Sequence, residues 1–529
     1  MPVRRQRKAS ATASESPAMA NANLIAAVDV GTTSIRLGIG QIGADGQWQM
    51  LEELVHPAAV GADTFRHGLI TPATLRTLCK VFENFNRLLR DYGVKVCRAV
   101  ATSALREATN REVVADRVQN ASGIALEILD AVEESRLMYQ ILQPFLRRHV
   151  AKAGQHTLIM DLGGGSTELM ILQGENLVFG SARRLGAARL FHSLRLADAG
   201  DNRDFLANMT DQIVTSTLSL YRAYPIKECV IINSLLMQAL KGEPGVEKLE
   251  GGLVMSARAA KAAAAAAAGM SATDMPARFQ IDLSEADFLA IAFLILARFL
   301  EHISVNRLFF AEADFLSALL HDLALRCCGA EPEAIFARQV LGSAIGVGEK
   351  YRYDRQHAEH VAKMAGEIFD AVAGFLGLAR LYRLHLQVAA ILHDIGMFVS
   401  ELAHHKHSAY LVQWSDIVGL SESERTLVAQ VCRYHRKTAP RPQHVEFMAL
   451  PMEERLIVTK LASILRIADA LDRGHHQAAR SLKPTLTEEN LTLEVDAEGE
   501  MTVEQAALKD KARLFEDITG LKVVLRRQA

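Results

Sequence analysis

The sequence has no long hydrophobic run, almost no net charge and no paired cysteines. Its longest apolar stretch, Ile291 to Leu300, is broken by Arg298 and too short to span a bilayer, so it reads as a core helix. The formal net charge of −2 over 529 residues supplies no global field to draw the chain to nucleic acid or a membrane surface. The 6 cysteines (Cys79, Cys97, Cys229, Cys327, Cys328 and Cys432) contain no CxxC pair and no zinc spacing, which leaves reduced, cytoplasmic thiols as the simplest reading. The N-terminal segment is basic and then Ala/Ser-rich, without the apolar centre of a secretory signal. Residues 1–21 are therefore expected to be a disordered tail, or Met19 to be the true start.

What the chain does have is a repeated turn grammar. Thr157-Leu-Ile-Met-Asp161-Leu-Gly163-Gly164-Gly165-Ser166-Thr167-Glu168 runs from an apolar strand into an acid, three glycines and a hydroxyl pair. Glycine lets backbone N–H groups approach a phosphate where a Cβ would collide. Asp161 and Glu168 bracket the turn with hard oxygen donors of the kind Mg²⁺ prefers. The same pattern occurs earlier, in Leu24-Ile-Ala-Ala-Val-Asp29-Val-Gly31-Thr32-Thr33-Ser34-Ile-Arg36. Two such hairpins suggest two related lobes gripping a phosphate chain, and an internal duplication.

Around these hairpins the chain alternates strands and helices. Helical period is expected over Pro72–Arg90, 186–196 and 203–224, and the near-poly-alanine stretch 256–269 should be helical. From about 284 to 480 the pattern is all-helical and rich in histidine. The end returns to a small α/β pattern, with strands at Leu491–Val495 and Leu521–Leu525 around a helix at Val503–Phe515.

Four stretches line up in order: Asp29 to Arg36; Thr102-Ser-Ala-Leu-Arg106-Glu-Ala-Thr-Asn110; Asp130-Ala-Val-Glu133-Glu134-Ser-Arg136; and Asp161 to Glu168, followed by Arg184-Leu-Gly186. Together they resemble the exopolyphosphatase / guanosine pentaphosphate phosphohydrolase family of the sugar kinase and actin superfamily. The resemblance implies phosphoanhydride hydrolysis between two actin-like lobes. By this match Glu133 activates water, Asp161 and Glu168 hold Mg²⁺ or Mn²⁺, and Asp29 faces them as a fourth catalytic acid. Gly31, Thr32, Gly163, Gly164, Gly165 and Ser166 would cradle phosphate, with Arg106 and Asn110 binding the chain. A bland alternative exists for Glu133, which lies three residues after Asp130 in a capping-box arrangement.

The chain departs from the family pattern in several places. Thr33 replaces an asparagine, and Ala131-Val132 replace Gly-Asn before the paired glutamates. Asn233-Ser234-Leu235-Leu236-Met237 lacks a glycine turn, Phe315-Leu316-Ser317-Ala318 replaces Leu-Arg-Glu-Gly, and an expected basic residue after the third strand is replaced in His56-Pro57-Ala58-Ala59-Val60-Gly61. Weaker or altered binding is expected at 233–237.

A second constellation lies in the helical half. His357, His393-Asp394 and Asp469 fall on or beside apolar helix faces, where inward polar groups need partners. This pattern resembles the HD metal-dependent phosphohydrolase superfamily and implies a divalent ion of the Mn, Fe or Zn type. Histidines in His404-His405-Lys406-His407 and at His435 would suit a second ion, with Arg436 or Lys437 near phosphate.

The expected architecture is multi-domain α/β plus all-α. It comprises a tail (1–21), actin-like (ribonuclease H-like) lobe I (22–135), lobe II (136–322), an HD-type helical domain (323–485) and a small C-terminal α/β module (486–529). The expected protein is a cytoplasmic enzyme acting on polyphosphate or guanosine pentaphosphate, without nucleic-acid or membrane partners, with a homodimer among the assemblies considered. The rival readings are an HD-centred enzyme whose lobes only bind ligand, a non-catalytic polyphosphate or alarmone sensor, and, least favoured, a kinase.

Overall fold

From Asn23 to Val30 the last six residues are buried in succession, the mark of a strand covered on both faces. In the computed structural model this strand is the centre of a sheet. The structure describes residues 3–4, 23–150, 154–194, 202–219, 224–268, 270, 273–329, 332–415, 417–497 and 499–527. It divides into two compact units, Met1–Ile335 and Phe336–Ala529.

The first unit holds two sheets. The first contains β1 (Val3–Arg4), β2 (Asn23–Val30), β3 (Ser34–Ile42), β4 (Trp48–Pro57), β5 (Val96–Ala101) and β6 (Leu126–Ile128), in the order β1-β4-β3-β2-β5-β6. The second contains β7 (His156–Leu162), β8 (Thr167–Gln173), β9 (Asn176–Arg183), β10 (Ile226–Ile232), β11 (Val246–Leu249), β12 (Gly252–Ser256) and β13 (Arg307–Ala311), in the order β11-β12-β13-β10-β7-β8-β9. The run β4-β3-β2-β5-β6 and the run β9-β8-β7-β10-β13 have the same order and the same directions: two antiparallel pairings, then two parallel ones. The duplication suggested by the two hairpins is thus a duplication of topology.

Some boundaries differ from expectation. The tail expected over 1–21 lies outside the described residues, apart from Val3–Arg4, which pair with Val55 and Leu54 of β4. The expected lobe boundary at 135/136 falls inside the continuous helix Ala131–His149. The helix Phe315–Cys327, assigned by sequence largely to lobe II, returns to the first sheet: Gly38 of β3 leaves room for Leu316 and Leu320 against the strand. The poly-alanine segment is helical over Ala257–Ala268.

The second unit is helical, its core built around Val361, Ile368, Leu386, Val428 and Leu461. Its closing strands are β14 (Ala479–Leu486), β15 (Asn490–Ala497) and β16 (Lys522–Arg527). Leu491, Leu493, Val495 and Phe515 join the same apolar cluster as the helices, so this sheet has no core of its own. Strand β14 had no counterpart in the sequence reading. Pro484 argues against a strand from sequence alone, but β14 is an edge strand, where a missing N–H is tolerated. Among the described residues, no helix is long and apolar enough to cross a membrane.

Candidate active site

The two hairpin turns are built alike. In β2–β3, Asp29 pairs with Arg36, and Gly31 N–H donates to Ser34 O at 3.0 Å. In β7–β8, Asp161 pairs with Glu168, and Gly163 N–H donates to Ser166 O at 2.9 Å. Arg36 therefore occupies in one lobe the register position that Glu168 holds in the other. The turns meet across a cleft of about 300 Å³ lined by Asp29, Arg36, Glu134, Asp161, Glu168 and Asp314. The glycines serve close approach here: a Cβ on Gly165 would collide with Ser103 Oγ, and one on Gly186 with the Gly164 carbonyl.

Helix starts surround the cleft. Thr102-Ser103, Ala187-Ala188, Asn233-Ser234 and Asp314-Phe315 all line the cleft at or beside the first turn of a helix. Free N–H groups at such ends favour negative charge. The glycine-free turn at 233–237 is held by Asn233, whose amide donates to Leu162 O at 2.6 Å and accepts from Leu236 N–H at 2.8 Å.

The two adjacent glutamates of the helix Ala131–His149 face different surroundings. The helix start is capped by Asp130, which accepts from Val132 and Glu133 N–H. Glu134 faces the cleft, 3.0 Å from Arg106 Nη1. Glu133 does not line the cleft; it accepts from Arg136 at 2.6 and 2.8 Å and from Arg98 at 3.3 Å. Arg106 and Asn110, expected to bind the phosphate chain, both have internal partners. Arg106 is occupied by Glu134 and by the Leu129 carbonyl at 2.7 Å. Asn110 spends both ends of its amide on the Ile70 backbone, each at 2.9 Å, and so pins a loop. Gly31, Thr32, Gly163, Gly164, Gly165 and Ser166 do line the cleft, and Ser166 Oγ donates to Glu168 at 2.6 Å. Arg36 was quoted in the first motif but given no role. Its pairing opposite Asp29 was the signal that could have placed it.

The electrostatics follow from burial. Asp29 is pushed up to about 7 by burial, against the pull of Arg36. Asp161 is pushed up to about 7 by burial and then by Glu134. Glu168 rises well above the usual range through burial, then Glu134 and Asp161. Glu134 is raised by burial against the opposing effect of Arg106. Asp29 Oδ1 is buried without a hydrogen-bond partner among the described residues. Carboxylates outnumber cations in a site otherwise shaped for anions, so a divalent cation fits the donor set. Such raised carboxyls bind more protons folded than unfolded. Without divalent metal their contribution to stability is therefore most favourable near pH 4 and is lost as pH rises to about 7. Added Mg²⁺ should raise the melting temperature more at pH 7.5 than at pH 5.5, and Asp161→Asn should flatten that difference. A Mg²⁺ increment independent of pH would refute the assignment.

In the second unit the structure gathers the histidines expected from sequence. His357 lies in the first turn of Arg355–Leu376, His393-Asp394 follow the helix Tyr382–Leu392, and Asp469 ends Met452–Ala470. His357 Nε2 is 3.8 Å from Asp469 Oδ1, and His393 Nε2 is 3.7 Å from Asp394 Oδ2 and 4.0 Å from Asp469 Oδ1. Both Nε2 atoms are buried without a hydrogen-bond partner among the described residues.

Comparison with known proteins agrees with this layout. Residues 44–227 match the Ppx/GppA phosphatase family and residues 341–516 match Ppx/GppA phosphatase, domain III. A guanosine-5'-triphosphate,3'-diphosphate pyrophosphatase of Vibrio campbellii is 23% identical over 484 residues, covering 90% of this chain and 92% of that protein. The protein of the same name from Aeromonas hydrophila is 24% identical over 481 residues, covering 85% and 88%. An exopolyphosphatase structure from Cytophaga hutchinsonii, 19% identical, superimposes with a TM-score of 0.50 over 58% of this chain and 99% of its own, a likeness of fold.

Proposed function

Because the chain belongs to the Ppx/GppA phosphatase family, we propose that its first unit hydrolyses terminal phosphoanhydride bonds, taking guanosine pentaphosphate or inorganic polyphosphate as substrate. The observation that carries this reading is the cleft itself: opposed acids from two hairpins, with helix starts around them. The terminal phosphate sits between the two turns, its oxygens facing the N–H groups of 32–33 and 164–165. Glu134 takes the proton of the attacking water, a role suited to a carboxyl raised by burial. Arg106 holds Glu134 in place, and Ser166 orients Glu168. Arg36 offsets charge from the opposite lobe, anchored by Glu53 at 2.8 Å and Asp314 at 3.1 Å. Asp161 and Glu168, with Asp29 opposite, would hold a divalent ion such as Mg²⁺, which when bound would supply charge neutralisation for the phosphate oxygens. The water oxygen bonds to the terminal phosphorus as the anhydride bond breaks, releasing phosphate and the shortened chain.

The test is phosphate release from both substrates, with and without Mg²⁺. Asp161→Asn, nearly isosteric, should reduce release from the preferred substrate at least about 100-fold, the scale of a lost electrostatic contact in phosphoryl transfer. Full activity in excess chelator would exclude the mechanism.

A further inference from the structure

Each carbonyl of the glycine turn at 163–165 has a donor from one short segment that follows it. Ala187 N–H donates to Gly163 O at 3.3 Å, Arg189 N–H to Gly164 O at 3.0 Å, and Arg189 Nε–H to Gly165 O at 2.6 Å. Gly186 permits this approach, because a Cβ there would lie 2.4 Å from Gly164 O. A trans peptide is planar, with its C=O and N–H on opposite sides. Holding the carbonyls of Gly163 and Gly164 therefore aims the N–H groups of Gly164 and Gly165, and holding that of Gly165 steadies the end of the turn. Arg189 supplies two of the three bonds, one from its backbone and one from its side chain.

The same guanidinium reaches the other hairpin's half of the cleft. Arg189 Nη1 and Nη2 donate to the two oxygens of Glu107 at 3.2 and 2.5 Å. Glu107 directly follows the helix Ser103–Arg106, whose Ser103 lines the cleft. The guanidinium plane also lies 4.1 Å from the centre of the Phe65 ring, in the helix Val60–His67. That helix is tied to the first hairpin turn by Gly61 N–H donating to Thr32 O at 2.8 Å. The Arg189 and Glu107 side chains are only 14% and 23% exposed, and the pair is bidentate. Geometry and burial set it apart from a surface ion pair of little worth. A planar fork can serve Gly165 O and Glu107 together; an ammonium is a single point of charge and cannot.

We propose that Arg189 is a positioning residue for phosphoryl transfer: it holds the Gly163–Gly165 turn in its anion-binding shape, and Glu107, from the opposite side of the cleft, orients it. The proposal rests on the reading of the cleft as a site of phosphoanhydride hydrolysis.

The full-length protein carries the test. With Mg²⁺ present, Arg189→Met should lower kcat for phosphate release about 10–100-fold with KM within about 3-fold of wild type, the scale of a small misplacement of a group that meets the reacting atoms. Arg189→Lys should keep the melting temperature within a few degrees yet remain about 10-fold low in kcat, since Lys keeps the charge and loses the fork. Glu107→Gln should also lower kcat, and the double variant Arg189→Met/Glu107→Gln should be no slower than Arg189→Met, because the two act through one contact. Amide hydrogen exchange at Gly163, Ala187 and Arg189 should quicken by about 3-fold or more in Glu107→Gln, an effect that a role of Arg189 confined to its own turn would not produce. A kcat within about 2-fold of wild type in Arg189→Lys, additive losses in the double variant, or unchanged exchange in Glu107→Gln would overturn the proposal. A wild type inactive on both substrates would overturn the hydrolase reading, and the exchange rates would then decide the Arg189–Glu107 coupling by themselves. Should Arg189→Met fail to fold, the kcat and exchange of Glu107→Gln decide it.

Discussion

Glu134→Gln should lower kcat for phosphate release by about 10²–10⁴, the usual worth of a positioned general base, while leaving the melting temperature within a few degrees of wild type. The change keeps the shape and the contact with Arg106 but removes the proton acceptor. Glu133→Gln should behave in the opposite way. Glu133 receives hydrogen bonds from Arg136 and Arg98, so its loss of charge should cost about 1–2 kcal/mol of stability with kcat changed only a few-fold. Steady-state kinetics and denaturant melts on the pair of variants decide the matter. A large kcat loss in Glu133→Gln with an active Glu134→Gln would reverse the roles of the two residues.

The second large effect is expected at Asp322. Its side chain is fully buried and accepts from Arg136 at 2.9 Å, Arg326 at 2.7 Å and Arg98 at 3.4 Å. Burial alone would raise its pKa, but Arg136 and Arg326 hold it below the usual carboxylate range. Asp322→Ala would leave Arg136, itself buried, with its charge answered, among the described residues, by Glu133 alone. Breaking one side of a buried ion pair costs roughly 3–5 kcal/mol. The contact also joins the helix Phe315–Cys327 to the helix Ala131–His149, whose first turn carries Glu134. The variant should therefore lose activity as well as stability. A loss below about 1 kcal/mol in chemical denaturation would show that the network is not structural.

Much of the site was legible because its elements are local. The strand–Asp–Gly pattern at Asp29 and Asp161 specifies a hairpin turn within a dozen residues, and each closes by the same backbone bond. His357 and His393 announced themselves as polar groups on or beside apolar helix faces, and the burial of both is what that pattern requires.

What remained hidden depended on contacts between distant segments. Adjacent helix residues point about 100° apart, so Glu133 and Glu134 cannot both face the cleft. Which one does depends on the rotation of the helix, held by Arg136 against Asp322, 186 residues away. Arg106 and Asn110 look free in sequence, yet each meets backbone or side-chain partners brought in by folding. The return of Phe315–Cys327 to the first sheet depends on Gly38 leaving space for Leu316 and Leu320, a packing match no local pattern encodes. The sequence by itself determined the two turns, the acids on them and the inward histidines, because each is a short-range conformational or solvation demand. Only the tertiary structure decided which glutamate faces the cleft and which cations are spent internally, because those are choices among competing partners that only the packed chain brings together.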